Sequence, residues 1–127
     1  MVCLLRGIRV ATDLNLHHPN TAKPLNEQHA REMLNRTRAW LNCFNLDRSI
    51  GSQHGKAPVI KDTDYIATHS GTWWISSEYN MRDFDIHICA YNEALRTSSH
   101  FRSQVYSDPN HPTGLNKVCL RSATSLF

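Results

Sequence analysis

Leu4, Leu5, Ile8, Ala11 and Leu14 recur at intervals of three and four, the spacing of one helical face, and predict a short helix from about residue 2 to residue 15. Asn15 is suited to close it, and His17-His18-Pro19 resists continuation. A polar connector containing Pro24 follows from Asn20 to Leu25. Asn26 then offers an N-cap side chain, and Glu27 places a negative charge in the first turn, where it suits the helix dipole. From that cap, Ala30, Met33, Leu34, Thr37, Trp40, Leu41 and Phe44 keep a helical interval, predicting a long helix to about Gln53. Glu27 with Arg31, and Glu32 with Arg36, are i,i+4 pairs in the favourable order. Gly51, Gly55 and the run Lys56-Ala57-Pro58 stop the helix.

Residues 56 to 74 carry Pro58, Gly71, Asp62, Asp64 and the Trp73-Trp74 pair without a sustained period, and are expected to form an ordered loop. A second long helix is expected from Ile75 or Ser76, with Tyr79, Arg82, Ile86, Ala90, Ala94 and Thr97 at its period, reaching Phe101 and Val105. Glu78 and Arg82 would add one more ion pair on it. The breaker cluster Ser107 to Gly114 ends the pattern, so residues 1–106 are read as the domain and 107–127 as a loop or tail. The fold class predicted is all-α, an irregular helical array with two long helices.

Composition narrows the function classes. At 127 residues the chain suits one core. The formal charge of +3 is spread over 14 Lys and Arg with no run of five, a poor footprint for direct nucleic-acid binding. Apolar stretches are only a few residues long, which excludes a spanning helix. Arg6 and Arg9 interrupt the apolar start, so no cleavable signal is expected and the chain reads as intracellular.

Cys3, Cys43, Cys89 and Cys119 are too far apart in sequence for a short-spaced zinc or redox motif, and read as free thiols. Eight histidines raise a metal hypothesis, but His17-His18 are adjacent and no HExxH or His-x3-His spacing occurs. GxSxG, CxxC, P-loop and GxGxxG patterns are absent, so no catalytic, cofactor or metal residues are assigned and the chain is not read as an enzyme. Trp73-Trp74 could stack on a ligand but more simply anchor their loop on the helices. A buried Asp47 would need pairing, and Arg9 or Arg48 is the expected partner, tying it to a neighbouring helix.

The stretch Leu5-Arg6-Gly7-Ile8-Arg9-Val10-Ala11-Thr12-Asp13-Leu14-Asn15-Leu16-His17 resembles the fungal-specific transcription factor domain, the middle homology region of binuclear zinc-cluster regulators. Arg36 to Arg48, followed by Gly55-Lys56-Ala57-Pro58, is similar to that family's Arg-rich, Trp-containing helix ending in Asp-Arg and its Gly-(Arg or Lys)-x-Pro loop. By position Arg9, Asp13, His17, Trp40, Asp47, Arg48 and Gly55 match the motif, with structural roles expected for all. The resemblance implies an all-helical regulatory fragment, incomplete relative to the full domain, from a nuclear protein that modulates DNA-templated transcription. It implies contacts with transcription machinery or a small-molecule effector, and a homodimer of the parent. DNA and zinc would belong to an N-terminal cysteine cluster that this sequence does not contain. The alternative is a stand-alone helical interaction adaptor.

Overall fold

The computed structural model describes residues 2–19, 21–105 and 110. Its elements are α1 (Val2–Asp13), α2 (Glu27–Gln53), α3 (Tyr65–Thr68), a 3-10 helix (Ser70–Ile75) and α4 (Arg82–Val105). The fold is all-α, with no strand among the described residues. The chain divides into two compact units, Met1–Leu95 and Arg96–Phe127, the division falling inside α4. In the second unit, Ser103 Oγ donates to the His100 carbonyl at 2.8 Å. Apart from Asn110, the 107–127 segment lies outside the described residues. Everything below concerns the first unit.

Both predicted boundaries of the first connector hold. Asn15 adopts φ 58°, and the bonds Leu16 N–H to Ala11 O (3.0 Å) and Asn15 N–H to Thr12 O (2.9 Å) close α1 in a Schellman motif. Arg36 Nη2 donates to the Leu14 carbonyl at 2.8 Å, bringing a cation to the negative end of α1. Asn26 caps α2 by accepting from His29 N–H at 2.9 Å, and His29 Nδ1 accepts in return from Leu25 N–H at 3.0 Å. Arg31 and Glu27 pair at 2.9 Å on the exposed first turn.

The far end of α2 repeats the motif of α1. Lys56 N–H donates to Gly51 O at 2.8 Å and Gly55 N–H to Ser52 O at 3.4 Å, with Gly55 at φ 64° in the left-handed region. A Cβ on Gly51 would stand 2.9 Å from the Lys56 carbonyl oxygen, so that close return of the chain requires glycine there. At 27 residues, α2 spans about 40 Å at the usual helical rise and is the axis of the unit.

The core gathers Ile8 and Ala11 of α1, Trp40, Leu41 and Phe44 of α2, Ile60, Ile66 and Ala67 from the segment after α2, and Ile88 of α4. Leu41, Phe44 and Ala67 are fully inaccessible. The other long helix differs from its prediction at both start and face. The backbone from Ser76 to Asn80 is a turn, because Asn80 Oδ1 accepts from Ser77 N–H (2.7 Å) and Ser76 Oγ–H (3.3 Å) while Ser77 Oγ accepts from Tyr79 N–H (3.2 Å). Such local side-chain bonds compete with helix formation, and α4 starts only at Arg82. Glu78 therefore lies ahead of the helix and not on it.

The residues read as its periodic face, Arg82, Ile86, Ala90, Ala94 and Thr97, are exposed. Within the first unit the buried face is Asp85, Ile88, Cys89 and Asn92. The segment after α2, expected to be a loop throughout, also contains α3 and the 3-10 helix.

Candidate functional site

The residues that carry the sequence motif divide into two groups. Arg9 and Asp13 pair with each other at 3.6 Å on the outer face of α1, with side chains 81% and 66% exposed, so the pair contributes little. Trp40, Asp47 and Arg48 line the side of α2 that meets residues 59–64, and Gly55 turns the chain back toward them. His17 rests beside Trp40, their ring centroids 5.7 Å apart.

Asp47 corrects one expectation. Its carboxylate is not tied to a neighbouring helix by Arg9 or Arg48: it accepts from the backbone N–H groups of Val59 (3.0 Å) and Ile60 (2.8 Å). Asp47 is 4% exposed, and two fixed donors are what make such burial tolerable. Arg48 completes the grip from the next position. Its Nη2 donates to the Ile60 carbonyl at 2.8 Å and reaches Asp62 at 2.6 Å, while its guanidinium lies 4.9 Å from the Phe44 ring centroid. Trp40 Nε1–H donates to Asp64 Oδ2 at 2.9 Å, and the same oxygen caps α3 by accepting from Ala67 N–H at 3.0 Å. Together these side chains clasp the 59–64 segment to α2 and fix where α3 begins.

That placement of α3 forms one wall of a groove of about 410 Å³. Its floor is the first half of α2, with Ala30, Met33, Leu34 and Thr37. That wall is Tyr65, Ile66 and His69, continued by Trp73 of the 3-10 helix. Tyr65 and His69 stack with ring centroids 4.0 Å apart and planes 21° apart. Pro19 and Pro24 border one part of the rim and Ser76 and Ser77 another. Trp73 anchors its segment by packing against the core, with the Arg38 guanidinium 5.6 Å from its ring, and it also lines the groove.

Behind the groove runs a buried polar chain that the sequence reading missed. Arg38 of α2 grips Asp85 of α4 with two bonds, Nε to Oδ1 at 2.6 Å and Nη2 to Oδ2 at 2.9 Å. Asn80 Nδ2 (3.0 Å) and the Met81 N–H (3.1 Å) also donate to Asp85 Oδ2, and Arg38 Nη1 bonds Asn35 Oδ1. Burial of Asp85 would by itself raise its pKa, but the bonds and charge of Arg38, with those of Asn80 and Met81, hold it below the ordinary carboxylate value. Two helical turns further, Ser70 Oγ donates to Asn92 Oδ1 (3.0 Å), Asn92 Nδ2 to Asn45 Oδ1 (3.1 Å) and Asn45 Nδ2 to the Ile88 carbonyl (3.3 Å).

Burial raises the pKa of the thiols of Cys43 and Cys89; the charge of Asp47 acts in the same direction on Cys43, and that of Asp85 on Cys89. Both are therefore protonated at neutral pH and poor nucleophiles. Among the described residues no group of three or more His, Cys, Asp and Glu is placed to hold a metal ion, and no helix is long and apolar enough to cross a membrane. Cys119 lies outside the described residues.

Comparison with known proteins gives one partial likeness. Over 84 residues, 66% of its length, the chain is 33% identical to Protein priB of Lentinula edodes; the match covers 15% of that protein. No family model matches the chain, and no solved structure matches it.

Proposed function

We propose that this chain is a piece of the regulatory middle domain of a fungal zinc-cluster transcription factor, a nuclear helical scaffold that modulates transcription without chemistry of its own. The observation that carries the reading is the clasp. Trp40, Asp47, Arg48 and Gly55, through which α2 resembles that domain, all serve to fix the segment after the helix, as scaffold residues would. Likeness to a small part of a much longer protein suits a domain piece. DNA and zinc would then be held by a cysteine cluster elsewhere in the parent protein, and the parent would act as a homodimer and engage transcription machinery.

Met81, Phe84 and Tyr91, each close to half exposed just before or within the first half of α4, favour a second reading, a helical adaptor that docks a partner. Reading the transcript on both sides of Met1 to Phe127 separates the two. A six-cysteine cluster of binuclear spacing upstream is the expected result. A transcript that starts and stops at these residues would overturn the regulator reading in favour of the adaptor.

A further inference from the structure

We infer that the groove between α2 and the α3–3-10 segment is a binding site for an uncharged, aromatic small molecule carrying a hydrogen-bond donor. This rests on the groove alone and stands or falls separately from the regulatory reading. Its volume of about 410 Å³ falls within the range of small-molecule pockets and is too small to seat a folded partner.

The walls select the chemistry. Among the described residues, no Asp, Glu, Lys or Arg lines the groove. An ionised ligand would therefore give up hydration with no countercharge to replace it. Met33, Leu34, Ile66 and Trp73 offer apolar and aromatic surface, and the soft thioether of Met33 suits contact with a ring.

Two polar groups of the lining, Thr37 in the floor and Ser76 at the rim, are biased toward accepting. Thr37 Oγ1 already donates to the Met33 carbonyl (3.4 Å) and Ser76 Oγ to Asn80 Oδ1 (3.3 Å). Each hydroxyl oxygen retains acceptor capacity. A phenol O–H or an arylamine N–H is the complement. The groove is also built before any ligand arrives, because Asp64 caps α3 while held by Trp40, so little ordering cost falls on binding.

Two fluorescent probes differing by one charge test this: neutral N-phenyl-1-naphthylamine, whose N–H can reach the rim, and its 8-sulfonate. Titrated into the full 127-residue chain, the neutral probe should bind saturably with one-to-one stoichiometry. The sulfonate should bind at least about tenfold more weakly, a difference of about 1.4 kcal/mol. Met33→Trp and Thr37→Trp, which fill the groove, should abolish neutral-probe binding, whereas Phe84→Ser on the exposed face of α4 should leave it unchanged.

Should the filled variants fail to fold, NMR of the unaltered chain decides. Probe-induced shifts at the Met33 methyl and the Trp73 indole support the site. Shifts confined to Phe84 and Tyr91, equal affinity for both probes, or the absence of saturable binding would overturn it.

Discussion

Toward α1 and α3, α2 presents Trp40, Leu41 and Phe44, whereas toward α4 it presents Arg38 and Asn45. The first contact is held by burial of apolar area, which is non-directional and tolerates a change of shape at modest cost. The second adds to Ile88, which shares that core, a chain of buried polar groups, each fixed by the geometry of its neighbour. Bonds of this kind add little net stability when made but cost a great deal when half broken. The apolar side therefore supplies stability, while the polar side fixes the register of α4 along α2. Asp85 can meet Arg38, and Asn92 meet Asn45, in one relative placement of the helices.

The sharpest way to break this comparison is Asp85→Ala. It strands the guanidinium of Arg38, 8% exposed, with Asn80 Nδ2 and the Met81 N–H, and should cost roughly 3–5 kcal/mol in chemical denaturation. On the apolar side Leu41→Met, at a fully buried position, should cost less than about 1.5 kcal/mol. The double variant Arg38→Met with Asp85→Leu should recover most of the Asp85→Ala loss, because neither charge is then left alone, though Asn80 and Met81 still lack their acceptor. Equal costs for Asp85→Ala and Leu41→Met would remove the distinction between the two sides.

The clasp is the next largest effect. Asp47→Ala removes the acceptor of two backbone N–H groups and should cost about 2–4 kcal/mol. The loss should be local in its signature, with faster hydrogen exchange at the Val59 and Ile60 amides while Arg38 and Asp85 remain paired. An unchanged melting temperature would mean that Arg48 alone holds the segment through Ile60 and Asp62.

The same contrast explains what could be read from the sequence. Helices α1 and α2 were legible because their buried faces are apolar and periodic, and their ends because Asn15, Asn26 and Gly55 carry the backbone geometry that caps require. The buried face of α4 was not legible from hydrophobic period alone. Asp85 and Asn92 occupy core positions, and a search for apolar spacing settles on the exposed Ile86 and Ala90. The available signal lay in α2: Arg38 and Asn45 interrupt its apolar face at the same helical interval, and a buried arginine needs a carboxylate opposite. The Ser76–Asn80 turn was misread for a related reason, since its side chains satisfy the backbone locally and hydropathy does not register that. Of the motif residues, Asp47 was legible as buried and paired but not for its partner, because a backbone N–H leaves no mark in the sequence. The groove was not legible, since it is assembled from four separate segments.

The smallest effect is also the most specific to the polar side. The folded state holds the Asp85 pKa below the ordinary carboxylate value of 3.8, so this group contributes stability that is fully present above that value. The contribution is lost as pH falls from 3.8 through the lower folded-state pKa, because the unfolded chain takes up the proton first. Asp85→Asn keeps the shape and one acceptor but cannot titrate. Its denaturation midpoint should start lower at neutral pH and fall less steeply than that of the unaltered chain below pH 3.8. A parallel acid slope for Asp85→Asn and the unaltered chain would mean that Arg38 fixes the place of α4 without drawing stability from the charge of its partner.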